Sequence, residues 1–132
     1  MTFYPITAED LELISIAQET LRRNADEVHD NHTVGAAVRC KDGRVYTGVN
    51  CDGIHGSCAE YITMGIAISD GAREFDTIVA VHPNFPNGVI PPCGNCRQML
   101  LEDTGDIRVL VNDEEGHLVK VGIRDLLPFA CL

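Results

Sequence analysis

A chain of 132 residues with 20 acidic and 10 basic side chains carries a formal net charge of −10, and its length suits a single hydrophobic core and one domain over residues 1–132. Scattered Lys and Arg, an acidic surface and the absence of Trp argue against a nucleic-acid partner, which needs clustered cations for phosphates and aromatic platforms for bases. No apolar run is long enough to cross a bilayer and Met1–Pro5 lacks the pattern of a secretory leader, so the expectation is a cytoplasmic protein with no membrane partner.

Thr7-Ala8-Glu9-Asp10 reads as a helix start, with Thr7 as N-cap and Asp10 three residues on as an approximate capping box. Leu11, Ile14, Ala17, Gln18 and Leu21 recur at helical spacing and predict a helix to about Val28. Val34 to Cys40 and Arg44 to Val49 are β-rich runs around Lys41-Asp42-Gly43, whose Asp-Gly is a hairpin signal. Cys58 to Ser69 predicts a second helix, closed by Asp70-Gly71, and Thr77 to Val81 a strand covered on both faces. A proline-rich loop, His82 to Pro92, leads into a third helix from Cys93 to about Asp103. Ile107 to Val111 and Leu118 to Val121 are two further strands, and Arg124 to Leu127 a short helix stopped by Pro128. The order α-β-β-α-β-α-β-β-α predicts an α/β fold, with a mixed five-stranded sheet and helices on both faces.

Two short stretches carry the chemistry. Cys58-Ala59-Glu60 offers a thiol and, two residues on, a carboxylate; Pro92-Cys93-Gly94-Asn95-Cys96 offers two more thiols. Six cysteines could form three disulfides in an exported protein, but with no leader the metal reading is stronger. Three thiolate ligands, Cys58, Cys93 and Cys96, leave one position of a tetrahedral Zn²⁺ open, which a catalytic site needs and a structural site avoids. A non-ligand Glu two residues after the first ligand, followed later by Pro-Cys-x-x-Cys, is the arrangement of zinc deaminases. Both thiol motifs are placed at helix N-termini, where unpaired N–H groups stabilise anionic sulfur. Cys40, Cys51 and Cys131 remain, Cys40 most simply as a small packing residue.

The run from Val34-Gly35-Ala36-Ala37, through Gly48-Val49-Asn50-Cys51-Asp52, to Cys58-Ala59-Glu60 and Pro92-Cys93-Gly94-Asn95-Cys96-Arg97-Gln98 resembles the cytidine deaminase family. Thr47-Gly48-Val49-Asn50, Gly94-Asn95-Cys96-Arg97-Gln98 and Val121-Gly122-Ile123-Arg124-Asp125-Leu126-Leu127-Pro128 are similar to its blasticidin S deaminase branch in particular. The resemblance implies a three-layer α/β/α sandwich. It implies zinc-dependent hydrolysis of a cytosine 4-amino group with release of ammonia, and a homotetramer whose sites borrow residues from neighbours. It makes Glu60 the catalytic proton carrier between water, ring nitrogen N3 and the departing amine.

Three thiolates give the metal centre a net negative charge that makes water harder to ionise, so a nearby cation is expected. In many three-thiolate relatives an Arg directly follows the Glu; here that position is Tyr61. Arg97, beside Cys96, is the remaining candidate to hydrogen-bond a thiolate. Asn50 and Asp52 fall where the family carries Asn-x-Glu on the sugar hydroxyls, the acid here one methylene shorter, and His32 falls where many relatives place a Phe against the base. The acidic surface suits a small-molecule cytosine nucleoside, cytidine or deoxycytidine, better than a phosphorylated substrate. Blasticidin S, deaminated by the same chemistry, is an alternative substrate. A non-catalytic structural zinc module is a third reading, separated from both by metal content and one deamination assay.

Overall fold

The first helix is set by its cap. Thr7 accepts the backbone N–H of Asp10, Asp10 accepts the backbone N–H of Thr7, and the complete capping box opens α1, Ala8–Asn24. The computed structural model describes residues 1–131. The elements after α1 are β2 (Gly35–Cys40), β3 (Val45–Val49), α2 (Ala59–Ser69), β4 (Phe75–Val81), β5 (Val89–Ile90), α3 (Gly94–Thr104), β6 (Arg108–Asn112) and β7 (Leu118–Gly122). Phe3–Tyr4 is β1, and short 3-10 turns lie at Pro86–Gly88 and Ile123–Leu126. The helix predicted to Val28 stops at Asn24, because Asp26 and Asn31 pair through two backbone hydrogen bonds and turn the chain back.

The strands form one sheet in the order β1-β7-β6-β4-β2-β3, with β5 paired to β4. Only the β4–β6 pairing is parallel among these strands, so the sheet is mixed. It has seven strands, not the predicted five. The two additions are the two-residue strands β1 and β5, too short to show a two-residue alternation in sequence.

Register divides the core. Val38 pairs with Ile78, and Ile78 with Val109, and these side chains pack with Met64 and Ala67 of α2 and Leu100 and Leu101 of α3. One residue along, Ala37 and Val79 pair and point the other way, packing with Leu110 against Leu13, Ala17 and Leu21 of α1. Gly35 lets α1 come this close, since a Cβ there would sit 2.8 Å from the Ala17 carbonyl and 2.9 Å from Leu21 Cβ. Cys40 is buried in the α2/α3 cluster, a packing residue as expected.

A buried ion-pair network ties α1 to three strands. The fully buried Asp10 carboxylate accepts Lys120 Nζ of β7 at 2.9 Å and Arg39 Nη2 of β2 at 2.8 Å, and the same Arg39 nitrogen reaches Asp76 of β4 at 3.1 Å. Burial alone would push the Asp10 carboxyl up, but hydrogen bonds from Arg39, Lys120 and the Thr7 backbone outweigh it and hold the group below its ordinary range.

Candidate active site

Cys58 is the N-cap of α2 and Cys93 the N-cap of α3, with Cys96 in the first turn of α3. The two helix starts bring all three sulfurs within 4.8 Å of one another. Cys58 Sγ and Cys93 Sγ are 3.6 Å apart, much longer than a disulfide. Tetrahedral zinc with Zn–S bonds of about 2.3 Å spaces its sulfurs about 3.8 Å apart, so the separation fits one ion between them. All six cysteines are free thiols. Among the described residues no fourth His, Cys, Asp or Glu joins this group.

The thiols differ in their electrostatics. Burial pushes the Cys58 and Cys96 thiols up, and Cys96 also feels the Glu60 carboxylate. At Cys93 burial is outweighed by the N–H groups of Cys96 and Asn95 and by the neighbouring thiols, and the group is held low. Three crowded thiols ionise together only around a cation, and a soft three-sulfur donor set suits zinc.

Glu60 stands in the first turn of α2 and is only 5% exposed. Burial pushes its carboxyl up, opposed in part by its own backbone N–H. It lines a cavity of about 450 Å³ together with Cys58, Cys93, Asn50, Asp52 and Tyr61. A buried carboxyl beside a set of metal-binding thiols has the chemistry to take up and release a proton during a reaction there.

Asn50 and Asp52 are both on the cavity wall. Val34 N–H donates to Asn50 Oδ1 at 3.0 Å, Asn50 Nδ2 to Asp52 Oδ1 at 3.2 Å, and His32 N–H to Asp52 Oδ2 at 2.8 Å. His32 is therefore linked to the site, but its ring lies against the Asn50 carbonyl, Nδ1 at 2.8 Å, and it is not among the residues that line the cavity. Arg97 differs from expectation. Its Nε donates to the Pro92 carbonyl at 2.8 Å and its Nη1 to the Leu126 carbonyl at 3.0 Å, and among the described residues no cysteine sulfur accepts from it. The guanidinium is instead taken up by these two backbone carbonyls, one of them directly before Cys93.

In the loop from Cys51 to Ser57 the sequence points to Asp52 alone, and the structure adds His55 and Ser57. The loop's ends pair, Cys51 N–H to the Ser57 carbonyl at 3.0 Å and Ser57 N–H to the Cys51 carbonyl at 2.9 Å, and His55 and Ser57 line the cavity. The signal was available: a short loop joining Asn50 to Cys58 has to pass the mouth of any cavity those two residues share.

The sheet, the helices that start at Cys58 and Cys93, and the carboxyl beside their thiols define a metal-centred hydrolytic site on an α/β fold. Residues 7–111 match the family model described as the cytidine and deoxycytidylate deaminase zinc-binding region. A blasticidin-S deaminase of Bacillus cereus is 36% identical, with 97% of this chain and 96% of that protein aligned. A cytidine deaminase of Sporosarcina psychrophila is 31% identical, over 92% of this chain and 90% of that one. The crystal structure of a cytidine deaminase from Burkholderia pseudomallei superposes with a TM-score of 0.75 at 30% identity, covering 95% of this chain and 99% of that one. The chain belongs to the cytidine and deoxycytidylate deaminase family. It is a cytosine-deaminating hydrolase, and its cofactor is zinc.

Proposed function

We propose that the protein hydrolyses the 4-amino group of a free cytosine nucleoside, with Cys58, Cys93 and Cys96 as the zinc ligands and Glu60 as the catalytic proton carrier. The observation that carries this reading is the buried Glu60 on the wall of the same cavity as the Cys58 and Cys93 thiols. Cys58, Cys93 and Cys96 would hold the zinc, which would supply an activated water as the nucleophile. Glu60 takes a proton from the attacking water and gives it to ring nitrogen N3 as the oxygen adds at C4, then carries the remaining hydroxyl proton to the 4-amino nitrogen, which leaves as ammonia as the C4 carbonyl forms. The net reaction consumes one water and forms a C4 carbonyl. A shuttle of this kind contributes about 10²- to 10⁴-fold.

The cavity wall favours an unphosphorylated substrate, since it carries Asp52 and Glu60 but no Lys or Arg among the described residues. Cytidine and deoxycytidine are the first substrates to test. Blasticidin S is a second reading, supported by the 36% identity to the Bacillus cereus blasticidin-S deaminase over nearly the whole chain. Arg97 supports the site through the Pro92 carbonyl, directly before Cys93.

A homotetramer fits one further feature. From Tyr61 to Ser69, α2 has no charged residue, and Tyr61 and Ile66 are exposed on it. In a chain of net charge −10 this is a face where copies meet without like-charge repulsion. Free thiols at the site suit a reducing compartment such as the cytoplasm, and no helix among the described residues is long and apolar enough to cross a membrane.

The test is a side-by-side assay of zinc-loaded protein with cytidine, deoxycytidine, deoxycytidylate and blasticidin S, following ammonia. Turnover of at least one unphosphorylated nucleoside, with deoxycytidylate the poorest substrate, is expected. Zinc-loaded protein inert toward all four, or fastest on deoxycytidylate, overturns the proposal.

A further inference from the structure

The rim of the cavity contains a closed hydrogen-bond circuit. Asn50 Oδ1 accepts the Val34 N–H at 3.0 Å, which fixes the orientation of the amide, because only its oxygen can accept. Its Nδ2 then gives one proton to Asp52 Oδ1 at 3.2 Å. Among the described residues the second Nδ2 proton has no protein acceptor, and Asn50 lines the cavity. Asp52 Oδ2 accepts the His32 N–H at 2.8 Å, so each Asp52 oxygen already has a partner within the protein.

His32 completes the circuit. Its backbone is in the left-handed region, φ 55°, which costs a non-glycine residue of order 1–3 kcal/mol and persists only where surroundings over-determine it. Here they do. The N–H is held by Asp52, and the ring Nδ1 lies 2.8 Å from the Asn50 carbonyl, which can only accept, so Nδ1 carries the proton. The Asn50 N–H donates to the Val34 carbonyl at 3.2 Å, and the two segments are joined at the end of the β2–β3 ladder.

We propose that Asp52 is a positioning residue. It holds the Asn50 amide and the strained turn at His32 so that one Asn50 proton and the Val34 side chain face the substrate, and it acts through Asn50 rather than by its own contact. This rests on the deaminase reading for its kinetic readout, but the circuit itself is measurable without turnover.

The test is a double-mutant cycle with amide exchange on zinc-loaded protein. Asp52→Ala should raise KM for the best nucleoside substrate about tenfold, the scale of one hydrogen bond to a charged group, with kcat within about twofold, the pattern of lost uniform binding. Asn50→Ala should raise KM at least as much, and Asn50→Ala/Asp52→Ala no more than about twofold beyond Asn50→Ala alone. In Asp52→Ala the amides of both His32 and Val34 should exchange about tenfold faster or more, although Val34 has no direct bond to Asp52. Multiplicative losses in the double variant, or unchanged exchange at Val34, overturn the proposal. Zinc content and Tm near wild type show that the fold is intact, and Asp52→Ser takes the place of Asp52→Ala if the latter unfolds. If no nucleoside is turned over, the functional reading fails, and exchange alone decides whether Asp52 holds the circuit.

Discussion

Replacing Asp10 by Asn keeps the size of the side chain and one oxygen to accept the Thr7 N–H, but removes the charge and puts an NH2 group where Oδ1 accepted Arg39. The Lys120 ammonium, 4% exposed and 2.9 Å from the carboxylate, is then left buried without an anion. Arg39 keeps Asp76 at 3.1 Å but loses its acceptor on residue 10, so both cations are affected. Removing one partner of a buried pair costs about 3–5 kcal/mol, a large share of the about 5–15 kcal/mol that holds a domain folded. With urea m-values of about 1–3 kcal/mol/M, the unfolding midpoint at pH 7 should fall by at least about 1 M, with the slope unchanged. The pH dependence has a definite sign. Because the folded Asp10 carboxyl is held low despite its burial, by Arg39, Lys120 and the Thr7 backbone, its stabilisation is complete above the unfolded carboxylate value of about 3.9. That stabilisation is lost as pH falls through the lower folded value. Asp10→Asn should therefore be less stable at neutral pH and lose stability less steeply on acidification. Lys120→Met in the Asp10→Asn background should recover part of the loss by removing the stranded charge. A loss under about 1 kcal/mol with an unchanged acid limb would show that the pair behaves like a surface bridge and would refute the argument.

Cys58→Ala, Cys93→Ala and Cys96→Ala should each lower zinc content and activity together, whereas Cys40→Ala, Cys51→Ala and Cys131→Ala should leave zinc stoichiometry unchanged by metal analysis. Gly35→Ala drives a Cβ to 2.8 Å from the Ala17 carbonyl and should cost about 1–3 kcal/mol in thermal or urea unfolding. Gly65→Ala, in α2 with nothing within 4 Å of the new Cβ, should instead stabilise by up to about 1 kcal/mol. Arg97→Gln removes the guanidinium bonds to the Pro92 and Leu126 carbonyls and should cost about 1–3 kcal/mol; a variant as stable as wild type would count against the clamp.

Local signals were legible where the residues that make them are close in sequence. The Thr7–Asp10 box, the Asp42-Gly43 hairpin and the two thiol motifs each lie within a few positions, and the structure has the cap, the turn and the helix starts in those places. What the sequence hid depends on distant partners. Phe3–Tyr4 becomes a strand only because Val121 and Lys120 are there to pair with it. Asp10 reads as a capping residue, yet its carboxylate also meets Lys120, 110 residues away. Arg97 stands beside Cys96 in sequence, but its partners are the Pro92 carbonyl and that of Leu126 in a C-terminal turn. Asn50, Asp52 and His32 could be singled out as candidates, while the circuit that joins them follows from a left-handed backbone at His32 that no spacing reveals.

The most direct measurement is ammonia release by Glu60→Gln, zinc-loaded and compared with wild type on the same nucleoside. Gln keeps the size of the side chain in its buried place but cannot carry a proton between water, N3 and the amine. Zinc content should match wild type while kcat falls by about 10²- to 10⁴-fold or more. Most of the activity surviving in a fully zinc-loaded Glu60→Gln would contradict the role given to the buried carboxyl.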